Sequence, residues 1–182
     1  MVSASNHSGY DMHFKAYAFI DSQNLNLGTS KDIRKKGRII YKGWKLDFKK
    51  FRRYLTDKFR VQKAFLFIGF IKQNDSLYKK LKSYGYDLVF KPTVKDSFGK
   101  VKGNVDAELV LHAAKVQYDR YDKAVIVAGD GDYYCLHEFL EKNRKLSHIV
   151  IPNEKSASSL LKPFQKYKIF LSFERKKLEL KK

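Results

Sequence analysis

The chain has 182 residues, and its 38 Lys or Arg against 19 Asp or Glu give a formal net charge of +19. A hydrophobic fraction of 43% with 15% aromatic residues excludes a disordered chain and allows one domain with a substantial core. The single cysteine, Cys135, excludes an intrachain disulfide. So much positive charge favours nucleic acid as a partner over an anionic membrane surface or a merely solvated basic surface.

The two ends of the chain are predicted to lie outside the folded domain. Residues 1–14 lack the features of a signal peptide and are expected to be flexible. The domain is predicted to cover residues 15–173, and residues 174–182 form a charged tail. Because no apolar run approaches the ~20 residues that span a bilayer, we expect a soluble, cytoplasmic protein without a membrane partner.

The first half of the domain reads as strands alternating with helices. KAYAFI (15–20) is predicted to be the first strand, and residues 22–46 form a long basic connection with a hairpin around RIIYKGW. Asp47 is predicted to cap a helix that ends near Phe59. The second strand, the next helix and the third strand follow at 61–70, 75–84 and 86–92.

The same alternation continues in the second half. Residues 93–103 are a basic connection with a small hairpin, and a helix is predicted over 105–118. Further strands are predicted at 123–129, 145–152 and 166–173, with helices over 132–143 and from SASSLLKPF onwards. Repeated strand–helix alternation predicts a single α/β domain in three layers, with helices on both faces of a mainly parallel sheet.

Four aspartates stand where predicted strands end or a helix begins. Asp21 follows the first strand, Asp130 and Asp132 follow the fourth, and Asp106 opens the helix 105–118. Aspartate is also a common cap and turn residue, so each of them alone has an ordinary structural explanation. Together they predict one pocket, because ligands of open α/β sheets bind outside the carboxyl ends of strands where the strand order reverses.

Such a cluster of carboxylates calls for a cation. Two like charges ~4 Å apart repel by about 4 kcal/mol at an effective dielectric constant of 20. A ligand set made of oxygen atoms alone suits Mg²⁺ or Mn²⁺. Gly131, between Asp130 and Asp132, is expected to provide a sharp backbone turn that lets both side chains address one cavity.

Three motifs in a fixed order carry a family resemblance. FIDSQNL, KGNVDAEL and VAGDGDYY resemble the NYN/LabA-like branch of the PIN-domain superfamily. The resemblance implies a PIN-like fold with strand order 3-2-1-4-5 and a Mg²⁺- or Mn²⁺-dependent ribonuclease. It implies an acidic site of Asp21, Asp106, Asp130 and Asp132, with Asn24 orienting a ligand, water or phosphate. Many relatives carry another acid where this chain has His112.

Basic residues around these motifs are predicted to contact RNA, single-stranded or structured. Lys91, Lys95, Lys100 and Lys102 would hold flanking phosphates, and the loop 31–45 would track the strand through Arg34, Lys35, Lys36, Arg38, Lys42 and Lys45. Trp44 or Tyr41 would stack on an unpaired base. Alternatively, these lysines are solvated surface charges and Trp44 anchors the loop on the core.

Hydrolysis of RNA phosphodiester bonds is therefore the predicted activity. The alternative is a PIN-like RNA-binding module with weak or no turnover, which the same charge and pocket would serve. A phosphatase of the haloacid dehalogenase type is disfavoured, because it needs a second Asp two residues after the first and this chain has Gln23 there. A homodimer is left open.

Overall fold

The structure, a computed structural model, describes residues 14–91, 94–95, 101–102 and 105–181. In chain order its strands and α-helices are β1 (Ala16–Asp21), α1 (Ser22–Ser30), β2 (Ile33–Lys35), β3 (Arg38–Tyr41), α2 (Phe48–Phe59), β4 (Val61–Gly69), α3 (Asp75–Ser83), β5 (Tyr86–Lys91), β6 (Val94–Lys95), β7 (Val101–Lys102), α4 (Val105–Leu111), β8 (Lys123–Val127), α5 (Tyr134–Lys142), β9 (Leu146–Ile151), β10 (Lys168–Phe170) and α6 (Arg175–Leu178). Short 3-10 helices and one π-helical segment, His112–Val116, connect them.

A six-stranded sheet forms the centre of the molecule. Its order is β10-β9-β8-β1-β4-β5, and every neighbouring pair is parallel. In terms of the six predicted strands this order reads 6-5-4-1-2-3, so the predicted three-layer α/β class and the predicted order 3-2-1-4-5 are confirmed. The strand order reverses beside β1, which lies between β8 and β4.

Each face of the sheet has its own core. In β1, Ala18 and Ile20 face a cluster built with α1, α2, α3 and α6, whereas Tyr17 and Phe19 face a second cluster built with α4 and α5. All six residues of β1 are buried. A strand covered on both faces needs apolar side chains on both, which explains the unbroken apolar run of residues 16–20 before the buried Asp21.

The region predicted as a long connection contains a helix that the sequence pattern did not indicate. Helix α1 begins at Ser22, directly after β1, and buries only Leu25 and Thr29. The predicted hairpin is present as β2 and β3, with Lys36 and Gly37 in the left-handed region at φ 48° and 77°. Because Leu25 and Thr29 are the only buried residues of α1, the sequence shows no row of apolar residues at helical spacing there.

Other predicted elements differ in length or type. The helix predicted over 105–118 changes to a π-helical segment at His112. The helix predicted from SASSLLKPF is a 3-10 helix over Ser159–Tyr167, and the sixth strand is shortened to Lys168–Phe170. The small hairpin predicted within 93–103 is present as β6 and β7, while residues 96–100 lie outside the described residues.

A contact between residues 45–50 and residues 178–180, here called the clasp, joins distant parts of the chain. The Asp47 N–H donates to the Leu178 carbonyl at 2.9 Å, and the Leu180 N–H donates to the Lys45 carbonyl at 2.8 Å. Leu178 itself is buried in the core cluster of α2. Among the described residues, no helix is long and apolar enough to cross a bilayer.

Candidate active site

A cleft opens at the carboxyl edge of the sheet, where β1 and β8 end side by side. Its volume is about 520 Å³. Three of the four predicted aspartates, Asp21, Asp106 and Asp130, line it. Helix α1 and the start of the basic hairpin complete the walls through Asn24, Leu27, Gly28, Lys31 and Ile33. The structure therefore brings carboxylates from three distant segments into one cavity at the point where the strand order reverses.

Asp21 is the last residue of β1 and also the cap of α1. Its Oδ1 accepts hydrogen bonds from the backbone N–H groups of Gln23 at 2.9 Å and Asn24 at 3.0 Å. The side chain is only 6% exposed. Burial is the main cause that raises the pKa of Asp21, and the charge of Asp106 raises it further, whereas the hydrogen bonds from Asn24 and Tyr133 oppose the rise.

Tyr133 connects two of the carboxylates, a role that the sequence analysis did not predict. Its hydroxyl oxygen lies 3.0 Å from Asp21 Oδ2 and 2.6 Å from Asp106 Oδ1. The ring is fully buried, and burial raises the pKa of the hydroxyl far above its usual range. Tyr133 therefore stays protonated and holds Asp21 and Asp106 close together. The only signal was its position in the motif VAGDGDYY, where it reads as an ordinary core aromatic.

Asp130 and Asp132 have different environments, although the sequence placed both in the pocket. Asp130 lines the cleft, and its Oδ1 accepts the Asp132 N–H at 3.1 Å. Asp132 is exposed and is not among the residues that line the cleft.

Gly131, between the two aspartates, is closely packed. A Cβ there would lie 2.5 Å from Ser158 Oγ and 2.8 Å from Leu160 Cδ1, so a larger residue would require these side chains to shift.

Asn24 links α1 to the end of β8. Its Oδ1 accepts the backbone N–H of Gly129 at 2.9 Å, next to Asp130 in the chain. Because Asn24 also lines the cleft, one side chain contacts the cavity and fixes the segment that carries Asp130. The predicted contact of Asn24 with a ligand, water or phosphate stays a prediction.

The comparison with known families assigns the chain. The family model described as NYN domain matches residues 15–171. The chain belongs to the NYN domain family. This family is part of the PIN-like superfamily, and its members are generally ribonucleases, which indicates a nuclease-like, RNA-related function.

A solved structure resembles this NYN domain in fold. It is the crystal structure of a protein of unknown function from Vibrio parahaemolyticus, with a TM-score of 0.64 and 19% sequence identity. The similarity covers 88% of this chain and 94% of that chain. None of the curated proteins matches the sequence.

The carboxylates of this NYN domain are the type of ligand that binds a hard divalent cation. Asp21, Asp106 and Asp130 supply oxygen ligands only, the type that Mg²⁺ and Mn²⁺ prefer. Across the described residues, however, no three His, Cys, Asp or Glu side chains lie close enough to form a metal-binding group. The carboxylates of Asp21 and Asp106 both contact the Tyr133 hydroxyl.

His112 is half-buried and packs against aromatic rings of the NYN domain. Its ring lies edge-on to Phe67, with ring centres 5.3 Å apart, and Nδ1 is buried without a hydrogen-bond partner in the described part of the chain. Burial lowers the pKa of the ring. It does not line the cleft. His112, where the family resemblance leads us to expect an acid, thus makes an aromatic contact.

The predicted RNA-binding residues divide into exposed and buried groups. Arg34, Lys35, Lys36 and Arg38 are exposed on the β2–β3 hairpin, whose base at Lys31 and Ile33 forms part of the cleft wall. Lys91 is only 3% exposed. Burial lowers the pKa of its amine, and the nearby charges of Glu108, Asp106 and Asp21 oppose this effect. An enclosed lysine facing the acidic residues does not fit the predicted contact with flanking phosphates.

Trp44 does not fit the predicted stacking role either. Its ring is 4% exposed and belongs to the core cluster, and its backbone N–H donates to the Thr29 carbonyl at 2.9 Å. The structure supports the alternative in which Trp44 anchors the loop. Lys100 lies outside the described residues, as do the side chains of Lys95 and Lys102.

Proposed function

We propose that this NYN domain is a metal-dependent ribonuclease that hydrolyses RNA phosphodiester bonds in the cleft of Asp21, Asp106 and Asp130. The observation that carries the proposal is the meeting of these three carboxylates in one cavity at the strand-order reversal. Family membership supports the reaction class. The net charge of +19 supports a polyanionic substrate.

The residues of the cleft have separate roles in this proposal. Asp21, Asp106 and Asp130 would hold Mg²⁺ or Mn²⁺. When bound, such a cation lowers the pKa of a water and offsets negative charge on the phosphate. Tyr133 keeps Asp21 and Asp106 adjacent by its two short contacts, and Asn24 positions the segment of Asp130 through Gly129.

The basic hairpin would hold the RNA strand beside the cleft. It is fixed to α1 by two hydrogen bonds to the Thr29 carbonyl, from the Tyr41 hydroxyl at 3.1 Å and from the Trp44 N–H at 2.9 Å. The backbones pack so closely there that a Cβ at Gly43 would lie 2.0 Å from the Ser30 carbonyl oxygen. These contacts fix the hairpin, whose start at Lys31 and Ile33 lines the same cleft as the carboxylates. Phosphates bound there would align the strand across the acidic site.

An RNA-binding module with weak or no turnover is the second candidate. One observation favours it: no three acidic side chains converge as a metal-binding group within the described residues. The family resemblance adds that this chain has His112 where many relatives are expected to carry an acid. In that case the hairpin would still bind RNA, but the site of Asp21, Asp106 and Asp130 would not cleave it.

A cleavage assay with matched variants separates the two candidates. Purified protein is incubated with single-stranded and structured RNA, with Mg²⁺, with Mn²⁺ or with EDTA. We expect cleavage that requires the cation and falls at least a hundredfold in Asp21→Asn, Asp106→Asn and Asp130→Asn. Asp119→Asn is the control, since this exposed aspartate lies in the 3-10 helix before β8, at the opposite edge of the sheet.

The structure and the sequence motif lead to different expectations for the replacement of Asp132. Because it is exposed and outside the cleft lining, Asp132→Asn should retain clearly more activity than Asp130→Asn. RNA that stays intact with every cation, but is bound by wild type and variants alike, would establish the binding module. Equal cleavage by wild type and Asp21→Asn would show that the assigned site is wrong.

A further inference from the structure

A second cavity lies on the other side of α1 from the acidic cleft. Its volume is about 570 Å³. Its floor is apolar and comes from the sheet, the start of α2 and helix α3: Leu46, Phe48, Leu66, Ile68 and Leu81. Two further aliphatic residues at its rim, Ile71 and Leu77, are 39% and 41% exposed. Aliphatic side chains left this open beside a concave apolar floor are typical of a binding site.

Helix α1 separates the two cavities. Ser22, Asn26 and Ser30, spaced four residues apart on one face of the helix, line the apolar cavity. Asn24, Leu27 and Gly28 on another face line the acidic cleft. Gln23 lines both. A chain molecule that lies in the cleft therefore reaches the second cavity by passing the first turn of α1.

The rim of the cavity is polar in a particular way. Three primary amides, those of Gln23, Asn26 and Asn74, surround the apolar floor, and their side chains make no hydrogen bond to the described part of the protein. Each amide offers both a donor and an acceptor. An aliphatic ligand would bury these groups without partners, whereas a flat ring with donors and acceptors on its edge would pair with them.

We propose that this cavity receives one unpaired base of the RNA strand whose phosphate lies in the acidic cleft. The base would lie on the aliphatic floor with its edge toward the amides, and Lys45 in the cavity wall suits the phosphate that follows it. The inference rests on the proposed function and narrows its substrate to RNA with an unpaired nucleotide beside the reacting phosphate. A base within a duplex cannot enter, because its edge is already paired.

Free nucleotides test the cavity without any need for catalysis. The full chain with isotope-labelled Ile and Leu methyl groups is titrated with each of the four ribonucleoside 5′-monophosphates and, separately, with hexanoate. We expect at least one nucleotide to shift the methyl signals of Leu66, Ile71, Leu77 and Leu81. Asn26→Trp, which fills the cavity from an exposed helix position, should abolish the shifts. Asn143→Trp, at an exposed position after α5, should leave them unchanged.

Several outcomes of the titration would overturn the inference. These are shifts with hexanoate alone, no shifts at those methyls with any nucleotide, or shifts that persist in Asn26→Trp.

Strands with a missing base connect the cavity to RNA. Binding of a single strand of roughly ten nucleotides is measured in EDTA, with an abasic ribose placed at each position in turn. At one position the missing base should weaken binding to the wild type by about tenfold or more. Asn26→Trp should bind the intact strand as weakly as the wild type binds that abasic strand, and it should bind the intact and abasic strands with equal affinity. If every abasic strand binds wild type as well as the intact strand, the inference is wrong even though RNA is bound. A protein that neither binds nor cleaves RNA would instead contradict the proposed function, and the nucleotide titration would still decide the cavity.

Discussion

Tyr133 has a single hydroxyl hydrogen for two carboxylate oxygens, at 3.0 Å and 2.6 Å. Only one of these contacts is a hydrogen bond at any moment if both Asp21 and Asp106 are ionised. The other contact brings two electron-rich oxygens together, which is unfavourable in a buried site. A proton on one carboxyl group, or a cation bound beside the pair, removes this repulsion. The protonation of the two carboxyl groups is therefore coupled to the binding of a cation.

Asp21 is predicted to weaken the fold for the sake of the site. Burial raises its pKa, so the ionised form is disfavoured in the folded chain, and folding loses stability as the pH rises through that pKa. Asn at this position would still accept the N–H groups of Gln23 and Asn24. Asp21→Asn should raise the unfolding free energy by about 1 kcal/mol at pH 7, with a difference that shrinks toward pH 4. Urea unfolding at both pH values measures it, and a less stable variant at pH 7 would refute the argument.

His137 is predicted to make the fold sensitive to acid. It is fully buried with both ring nitrogens unpaired among the described residues, and burial lowers its pKa to about 4. Between pH 6.5 and 4 this histidine is protonated in the unfolded chain but stays neutral in the folded chain. The unfolding free energy therefore decreases by about 3 kcal/mol as the pH is lowered from 6.5 to 4. His137→Leu should flatten the dependence of the unfolding free energy on pH in this window. An unchanged slope would show that other groups dominate it.

Helix α1 shows how an element without a hydrophobic stripe is held in place. Its amino end is capped by Asp21, Thr29 Oγ1 donates to the Leu25 carbonyl at 2.9 Å, and Asn24 accepts from Gly129. These contacts come from tertiary structure and from side-chain hydrogen bonds, not from periodic apolar residues. For this reason the sequence indicated only a polar connection over 22–46, although the flanking strand β1 was predicted to within one residue.

Asn24 is predicted to act as a positioning residue for Asp130. Asn24→Ala leaves the Gly129 N–H without its acceptor, which should lower the unfolding free energy by about 1 kcal/mol. Because Asp130 follows Gly129 directly, kcat should fall more than KM changes. Asn24→Asp keeps an acceptor oxygen and should restore most of the unfolding free energy. If both variants lose stability equally, the hydrogen bond to Gly129 is not the reason for the asparagine.

The strands of the sheet were predictable because the local sequence pattern determines them. Several features of the site were not predictable because they depend on tertiary contacts. Runs of apolar residues indicated all six strands, and the motifs indicated their order. The exposure of Asp132, the enclosure of Lys91 and the bridge through Tyr133 each depend on how two sheet faces and several loops pack together. No spacing rule within one segment contains that information.

At the scale of the whole molecule, charge is predicted to govern RNA binding. Arg34 and Lys36 are exposed on the hairpin beside the cleft, whereas Arg120 and Lys142 are exposed at the opposite edge of the sheet. Replacing Arg34 and Lys36 by Gln should make the slope of log K against log salt shallower by about 1.4 for a single strand. The double variant of Arg120 and Lys142 changes the net charge equally. Equal slopes for the two double variants would mean that the hairpin has no special place in binding.

The clasp has a consequence for how the molecule opens. Lys50 Nζ donates to the Glu179 carbonyl, and together with two backbone hydrogen bonds and the buried Leu178 this contact holds residues 175–180 on a sheet that has its own, larger core. Residues 175–180 are therefore expected to detach before the sheet does, uncovering the cluster that Leu178 shares with Trp44. Since Trp44 is the only tryptophan of the chain, its fluorescence reports this partial opening separately from global unfolding. The buried ring of Trp44 is thus an intrinsic fluorescence probe of the first step of unfolding.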